Sequence, residues 1–381
     1  MSDLSLQLQQ AASQLSVSSY FDAALHAREM ELIFQRGPRY VGHALAVPEV
    51  GDYHTLAHEG EGRALLRTPQ GVEVISNVCR HRQAVILRGR GSVKAAPSSG
   101  GNIVCPLHRW TYSAGTGARA GALLGAPHFK ADPCLDLKNY PVDSWNGLVF
   151  EKNGYDVARA LAKLGPKADL DFSGYVYDRT ELHVVDYNWK TFIEVYLEDY
   201  HVGPFHPGLG NFVTCDDLRW EFGQEYSVQT VGVAGALGKA GSPVYRKWHE
   251  EVLRYQAGKA PKQGAIWLTL YPNVMLEWYP NVLVVSTLVP QGPQKTLNVV
   301  EFFYPEEIQA FEREFVEAQQ AAYMETCVED DEIALRMDAG RKALMERGDN
   351  EVGPYQSPME DGMQHFHEWY RDAMGPQPAL R

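Results

Sequence analysis

Between Trp189 and Tyr200 the apolar residues Trp189, Phe192, Ile193, Tyr196, Leu197 and Tyr200 recur at three- and four-residue intervals, which is one stripe on a helix. The spacing predicts a buried helix, with Asp186 or Asn188 as its cap and Gly203-Pro204 as its end. A weaker stripe through Leu4, Leu6, Leu8 and Leu15, and a better one from Asp22 to Phe34, predict helix up to the break at Arg36-Gly37-Pro38. From Tyr40 to Lys152 the pattern changes to short β-type runs punctuated by Gly, Pro and Ser, among them Val72 to Ile75, Ile103 to Cys105 and Leu148 to Phe150. That texture predicts an all-β unit. A polar linker over 153 to 173 precedes a strand at Tyr175 to Asp186 that leads into the striped helix.

Beyond that helix, the β-rich stretches Trp220 to Val233, Ala265 to Leu288 and Thr296 to Tyr304 predict an antiparallel sheet. Pro305-Glu306-Glu307 opens a long helix whose stripe runs through Ile308, Phe311 and Phe315 and continues past a break to about Arg347. The fold class is therefore α+β, in three parts. Residues 1–37 are a helical segment, 38–152 an all-β domain, and 153–381 a domain with an antiparallel sheet packed by helices, its folded part starting near Leu170.

Composition narrows the partners. At 381 residues with 45% hydrophobic content, the chain can build two cores. A formal charge of -13 argues against nucleic acid and anionic membrane, which need a cationic surface. Five widely spaced cysteines suit a reducing compartment rather than a disulfide framework. Residues 1–16 lack a cationic start and a continuous apolar core, and no apolar run is long enough to span a bilayer, so the expected location is cytoplasmic.

Charged and metal-binding residue types then add chemistry to this outline. Glu194, Glu198 and His201 fall at i, i+4 and i+7 and so share a second, metal-facing side of this helix, and His206 comes five residues later. Two imidazoles and a carboxylate suit iron with open positions for oxygen and substrate. Upstream, VCRHR carries Cys79 and His81, and CPLHRW carries Cys105 and His108. Two Cys and two His satisfy a tetrahedral zinc site, or a [2Fe–2S] cluster with two thiolates on one iron and two imidazoles on the other. One Cys and one His from each of two loops favours the cluster. The C-terminal run VEDDEIALRM offers Glu329, Asp330 and Asp331 as a third ligand for the second site.

These motifs resemble those of the Rieske non-haem iron oxygenases, also called ring-hydroxylating oxygenases, in their catalytic α subunit. The family pattern of Cys-x-His-Arg followed by Cys-x-x-His-x-Trp is matched by Cys79, His81 and Arg82, then Cys105, His108 and Trp110. Its second motif is matched by Asn188-Trp189-Lys190, Glu198, Tyr200-His201 and His206, in the same order. The chain departs in having Gln83 and Arg109 where the family usually has Gly, and a longer loop, RGRGSVKAAPSSGGN, between the cluster motifs. Glu198, where dioxygenases often carry Asp, resembles the carnitine and glycine betaine oxygenase branch and points to a monooxygenase or demethylase.

The resemblance implies a terminal oxygenase that uses O2 and two electrons to hydroxylate a small organic substrate. Cys79, His81, Cys105 and His108 would hold the Rieske cluster, and His201, His206 and Asp330, with Asp331 as the neighbouring choice, a mononuclear Fe(II). It also implies a head-to-tail homotrimer in which Glu198 links the cluster of one subunit to the iron of the next. Electrons would come from NAD(P)H through a separate ferredoxin or flavin reductase, since no phosphate-binding strand-to-helix pattern occurs in the chain. The rival readings are an electron-transfer iron–sulfur protein and a zinc-stabilised binding protein.

Several residues are read by what surrounds them. Between Val74 and Ala131 there is no acidic residue, whereas Arg80, Arg82, Arg88, Arg90, Lys94, Arg109, Arg119 and Lys130 are all there. That stretch either balances the charged cluster or forms a docking face for an acidic electron donor. Trp267, Tyr271, Trp278 and Tyr279 either line an aromatic pocket, which would suit a quaternary ammonium or an aromatic substrate, or belong to the core. Tyr200 is expected to pack, Cys134, Cys215 and Cys327 to be buried thiols, and His365 and His367 to serve packing or surface roles on a terminal helix.

Overall fold

The computed structural model describes residues 14–375 apart from 96, 236, 238, 350 and 352. The expected helix through Leu4, Leu6 and Leu8 therefore lies outside the described residues. The chain divides into two compact units, Pro38–Tyr155 and a second made of Met1–Gly37 with Asp156–Arg381.

The first unit is antiparallel β throughout. Five strands run in the order Arg90–Ser92, Asp52–Thr55, Arg63–Thr68, Gly71–Ser76 and Asn139–Tyr140, and two three-stranded sheets accompany them. Alternation along the strands sends Ala64, Leu66 and Ile75 into a core shared with Cys79, Cys105, Trp110 and Tyr112. The two motif loops have the same backbone design. Cys79 N–H donates to Ala84 O at 2.9 Å and Gln83 N–H to Cys79 O at 3.1 Å; Cys105 N–H donates to Trp110 O at 2.8 Å and Arg109 N–H to Cys105 O at 3.0 Å. Each loop is closed by a left-handed residue, Gln83 at φ 53° and Arg109 at φ 62°. The family's glycine at these places has its physical reason there.

The second unit is built on a seven-stranded antiparallel sheet in the order Tyr175–Val185, Lys295–Pro305, Val282–Gly292, Val274–Tyr279, Ala265–Leu270, Tyr226–Val233, Val213–Phe222. The expected sheet is present, with two of its stretches divided into hairpins: 265–288 holds three strands rather than one run. Its longer helices are α1 (Ala23–Glu29), α2 (Trp189–Tyr196), α3 (Pro243–Tyr255), the 35-residue α4 (Arg313–Arg347) and α5 (Asp361–Met374). Trp248 of α3 and Phe315 of α4 pack with Val284, Val300 and Phe302 of the sheet. Trp189 and Ile193 of α2 pack with Phe366 and Tyr370 of α5.

Helix α2 starts where the Asn188 side chain accepts the Lys190 N–H at 2.9 Å, as a cap should. It stops at Leu197, earlier than the apolar stripe suggests. The stripe's last member, Tyr200, is consequently off the helix and 59% exposed, which corrects its expected packing role. Glu194 also leaves the expected metal-facing set. It is wholly buried and bonded to Tyr20, Arg341 and His367.

Buried charges fix α2 in place. Lys190 Nζ reaches Glu29 Oε1 at 2.6 Å, Trp189 Nε1 donates to Glu29 Oε2 at 2.9 Å, and Tyr370 Oη donates to Glu29 Oε1 at 2.5 Å. Asp338 of α4 accepts from Thr191 at 2.6 Å and from the Asn188 backbone at 3.1 Å. Burial alone would raise the Glu29 carboxyl, but hydrogen bonds from His26, Lys190 and Tyr370 and the Lys190 charge bring it down from 4.5 to about 2. That pairing stabilises the fold fully above pH 4.5 and is lost as the pH falls towards 2.

Lys190→Met is therefore expected to cost about 3–5 kcal/mol, because it leaves the Glu29 carboxylate buried without its cation. The loss should be largest near neutral pH and shrink as acid protonates the unpaired Glu29, so the variant and wild type should differ less at low pH; equal stability at neutral pH in circular dichroism would contradict this. Arg109→Gly should relieve on the order of 1 kcal/mol of backbone strain and raise Tm, whereas a lowered Tm would show that the arginine contributes more than its φ costs.

Candidate functional site

Two groups of metal-ligating side chains form in this fold. In the first unit Cys79 and Cys105 lie buried, while His81 and His108 sit nearer the surface. The two imidazoles meet at 3.2 Å between their Nδ1 atoms, and His81 stacks on Trp110 at 5.0 Å with the rings 4° from parallel. Tyr112 Oη lies 3.4 Å from the Cys79 sulfur and accepts the Arg80 N–H at 3.1 Å. Burial pushes the Cys105 thiol up and the neighbouring Cys79 adds to the effect, so this sulfur needs a positive partner before it gives up its proton.

These four residues fit a binuclear cluster better than a single ion. Among the described residues, the one group of three or more ligating atoms lying within 4.8 Å of one another is His201, His206 and Asp330. The Cys–His set does not close around a single centre, as tetrahedral zinc requires. Thiolates inside and imidazoles outside match a cluster whose two irons take different ligands.

The second group is assembled by one helical turn and one distant helix. His201 precedes and His206 follows the short turn Val202–Phe205, in which Phe205 N–H donates to His201 O at 2.9 Å. That turn, which contains Gly203 and Pro204 rather than ending at them, brings the two rings to 5.0 Å between centroids. Their Nε2 atoms face each other at 3.0 Å. Each Nδ1 is held by a carboxylate from behind: His201 by Glu198, and His206 by Glu329 at 2.6 Å. Glu198 Oε2 in turn accepts the backbone N–H groups of Tyr200 at 2.6 Å and His201 at 3.1 Å.

Asp330 completes the set from α4. Its Oδ1 lies 3.0 Å from His206 Nε2 and 3.4 Å from His201 Nε2, yet this buried oxygen has no hydrogen bond of acceptable geometry. Successive residues of a helix point about 100° apart, so Glu329, Asp330 and Asp331 fan out to three targets. Asp331 turns away to Tyr187 Oη and His183 Nε2, both at 2.8 Å. Burial opposes a charge on His201, but Asp330 and Glu198 outweigh it and hold this imidazole up at about 10. A pair of inward-facing ring nitrogens beside an orphaned carboxylate oxygen is a demand for positive charge that a divalent cation meets.

Beside this group opens a cavity of about 930 Å³, including its mouth. Its wall contains Trp267 and Tyr279, as the pocket reading expects. Tyr271 instead belongs to the core around Trp189, with its hydroxyl 3.0 Å from His365, and Trp278 is not part of the wall. The wall also contains Glu277 and Asp199, which sequence reasoning missed. A lone carboxylate in the apolar strand VMLEWY was the available signal for Glu277.

Cys134 is exposed and Cys215 half-buried, which corrects the buried thiols expected there, while Cys327 lies on the cavity wall with burial pushing its thiol up. His367 is buried between Glu194 and Tyr355. Of the basic stretch, Arg119 pairs with Asp136 at 2.7 Å, Arg88 with Glu61 at 3.4 Å, and Arg90 donates to Ala46 O at 2.8 Å. Among the described residues no helix is long and apolar enough to cross a membrane.

Comparison with known proteins assigns a family domain within each unit. Residues 38–141 match the model of the Rieske [2Fe-2S] domain, and residues 170–376 that of the ring hydroxylating alpha subunit catalytic domain. A putrescine 2-hydroxylase of Ralstonia nicotianae is 66% identical over 98% of this chain and 100% of its own length. Another, of Bordetella bronchiseptica, is 61% identical over 96% of this chain and 85% of its own. The carnitine monooxygenase oxygenase subunit of Escherichia coli is 26% identical over 94% of this chain and 93% of its own. Among solved structures, a quaternary ammonium Rieske monooxygenase shares the fold with a TM-score of 0.73 at 19% identity, over 96% of each chain. Naphthalene 1,2-dioxygenase from Rhodococcus does so with a TM-score of 0.66 at 19% identity, over 97% of this chain and 96% of its own. An electron carrier or a zinc-stabilised binding protein accounts for neither the catalytic-domain match nor the second group of ligands, and the chain belongs to the ring-hydroxylating α subunits, the catalytic components of Rieske non-haem iron oxygenases.

Proposed function

We propose that this chain is the terminal oxygenase of a multicomponent system that hydroxylates putrescine or a closely similar small diamine. The observation that carries this reading is the 66% identity, over 98% of the chain, to a protein named putrescine 2-hydroxylase. The cavity wall supports it. Glu198, Asp199, Glu277 and Asp330 line it, and among the described residues no Lys or Arg does. A dication suits such a wall, whereas the carboxylate of a carnitine-like substrate would meet like charge there. This reading replaces the quaternary ammonium and aromatic substrates that the sequence pattern suggests.

In the division of labour we propose, residues 38–152 hold the cluster through Cys79, His81, Cys105 and His108, and residues 153–381 hold iron through His201, His206 and Asp330. When bound, these groups supply single electrons and activate dioxygen. The residues of the chain do the rest. Glu198 and Glu329 fix both imidazoles with Nε2 inward. Phe192, Val202 and Leu209 give the cavity wall apolar surface, which disfavours water beside the substrate. One C–H bond becomes C–OH, and the second oxygen atom leaves as water with two electrons and two protons. We further propose a cytoplasmic homotrimer fed from NAD(P)H by a separate ferredoxin or flavin reductase, with Glu198 as the link to a neighbouring subunit's cluster.

A single-turnover experiment tests the substrate without needing the natural donor. Reduced holoprotein is mixed with putrescine and isotopically labelled dioxygen, and the products are read by mass spectrometry. A hydroxylated diamine carrying one labelled oxygen atom is expected. Untouched putrescine, with carnitine or an aromatic compound oxidised instead, would contradict the proposal.

A further inference from the structure

Glu277 is a carboxylate in the middle of an apolar strand, 1% exposed, in a sheet whose neighbouring strands are buried on both faces. Burying such a group costs several kcal/mol unless it is compensated. For two other buried carboxylates compensation is a resident cation: Lys190 for Glu29 and Arg341 for Glu194. Around Glu277 the partners are two phenols. Tyr279 donates to Oε2 at 2.7 Å and Tyr323 of α4 donates to Oε1 at 2.8 Å. The charges acting on it include no cation among the described residues, and burial pushes its carboxyl from 4.5 up to about 7.

The surroundings are those of a cation site. Trp267 stands directly opposite Glu277 on the adjacent strand, so both side chains share the face that borders the cavity. Trp267 Nε1 donates to Tyr279 Oη at 3.0 Å, which leaves the Tyr279 proton for the carboxylate. The rings of Trp267 and Tyr279 are 6.4 Å apart and inclined at 68°, and those of Tyr279 and Tyr323 are 6.2 Å apart at 89°. Three aromatic side chains thus surround one carboxylate, and the Tyr196 hydroxyl, also on the cavity wall, is buried without a hydrogen-bond partner.

We propose that Glu277, framed by Trp267, Tyr279, Tyr323 and Tyr196, anchors one primary ammonium group of the substrate and selects amines over neutral and quaternary ammonium compounds. This inference rests on the diamine reading above and names the residue that enforces it. An ionised carboxylate has about four lone-pair sites, and the two phenols occupy two of them, which leaves acceptors for N–H donors. The Tyr196 oxygen is a further acceptor. A quaternary ammonium has no N–H to give and would use the ring faces alone. Holding one end of the diamine at Glu277 also fixes which carbon is presented to His201, His206 and Asp330 across the same cavity.

The test is a binding series on anaerobic holoprotein, followed by calorimetry, with putrescine, 1-aminobutane, 1-butanol and butyltrimethylammonium as probes. Wild-type protein should bind 1-aminobutane about 100-fold more tightly than 1-butanol, and more tightly than butyltrimethylammonium. Glu277→Gln should weaken putrescine and 1-aminobutane by about 100-fold and leave 1-butanol within roughly threefold, with the cluster's visible spectrum unchanged. Amine affinity in Glu277→Gln within roughly threefold of wild type would overturn the anchor, as would a wild type that does not prefer 1-aminobutane to 1-butanol. If Glu277→Gln fails to fold, Glu277→Asp takes its place: it keeps the charge but shortens the reach, and should weaken 1-aminobutane by about 10-fold while leaving 1-butanol within roughly threefold, whereas unchanged amine affinity would overturn the anchor. If wild type hydroxylates putrescine but Glu277→Gln binds it normally, the anchor alone fails. If wild type takes no amine and oxidises a neutral compound, the diamine reading fails with it.

Discussion

A histidine offers a metal one nitrogen, and the direction of that nitrogen is set by what holds the other. In this protein two carboxylates do the holding, Glu198 behind His201 and Glu329 behind His206. Both Nε2 atoms are thereby turned inward to face each other at 3.0 Å, beside an Asp330 oxygen that lacks a hydrogen bond. The rest of the second unit serves this arrangement. Helix α4 supplies Glu329 and Asp330, and α2 leads the chain to Glu198 and His201.

Keeping those two helices in register is the task of the buried charges. Asp338 and Arg341 of α4 meet Thr191 and Glu194 of α2, further along α4 than the ligand run. Glu29 fastens the other side of α2 through Trp189 and Lys190. A purely apolar contact could slide, whereas a buried ion pair loses several kcal/mol when displaced. The charged residues of NWKTFIE are thus a positioning device, and the proposed metal ligands begin only after the helix ends.

Much of this was legible beforehand, for unequal reasons. Cys79, His81, Cys105 and His108, which we propose hold the cluster, stand out because metal binding demands particular side chains at close spacing. Glu194 was misread because the helical arithmetic was carried past Leu197, where α2 stops; Tyr200 was misplaced by the same extrapolation. Composition could not choose between Asp330 and Asp331, since only the rotation of α4 sends one to the histidines and the other to Tyr187. Glu277 is a single letter in an apolar strand, and its importance emerges when Trp267, Tyr279 and Tyr323 close around it.

The proposed assignment places a two-iron cluster and a mononuclear iron on two separate sets of residues. Iron, zinc and acid-labile sulfide per chain, measured on anaerobically purified wild type and Asp330→Ala, test this most directly. About three irons and two sulfides are expected in the wild type, with one iron lost and the sulfide retained in the variant. Zinc without sulfide, or a variant that keeps its full iron content, would contradict it.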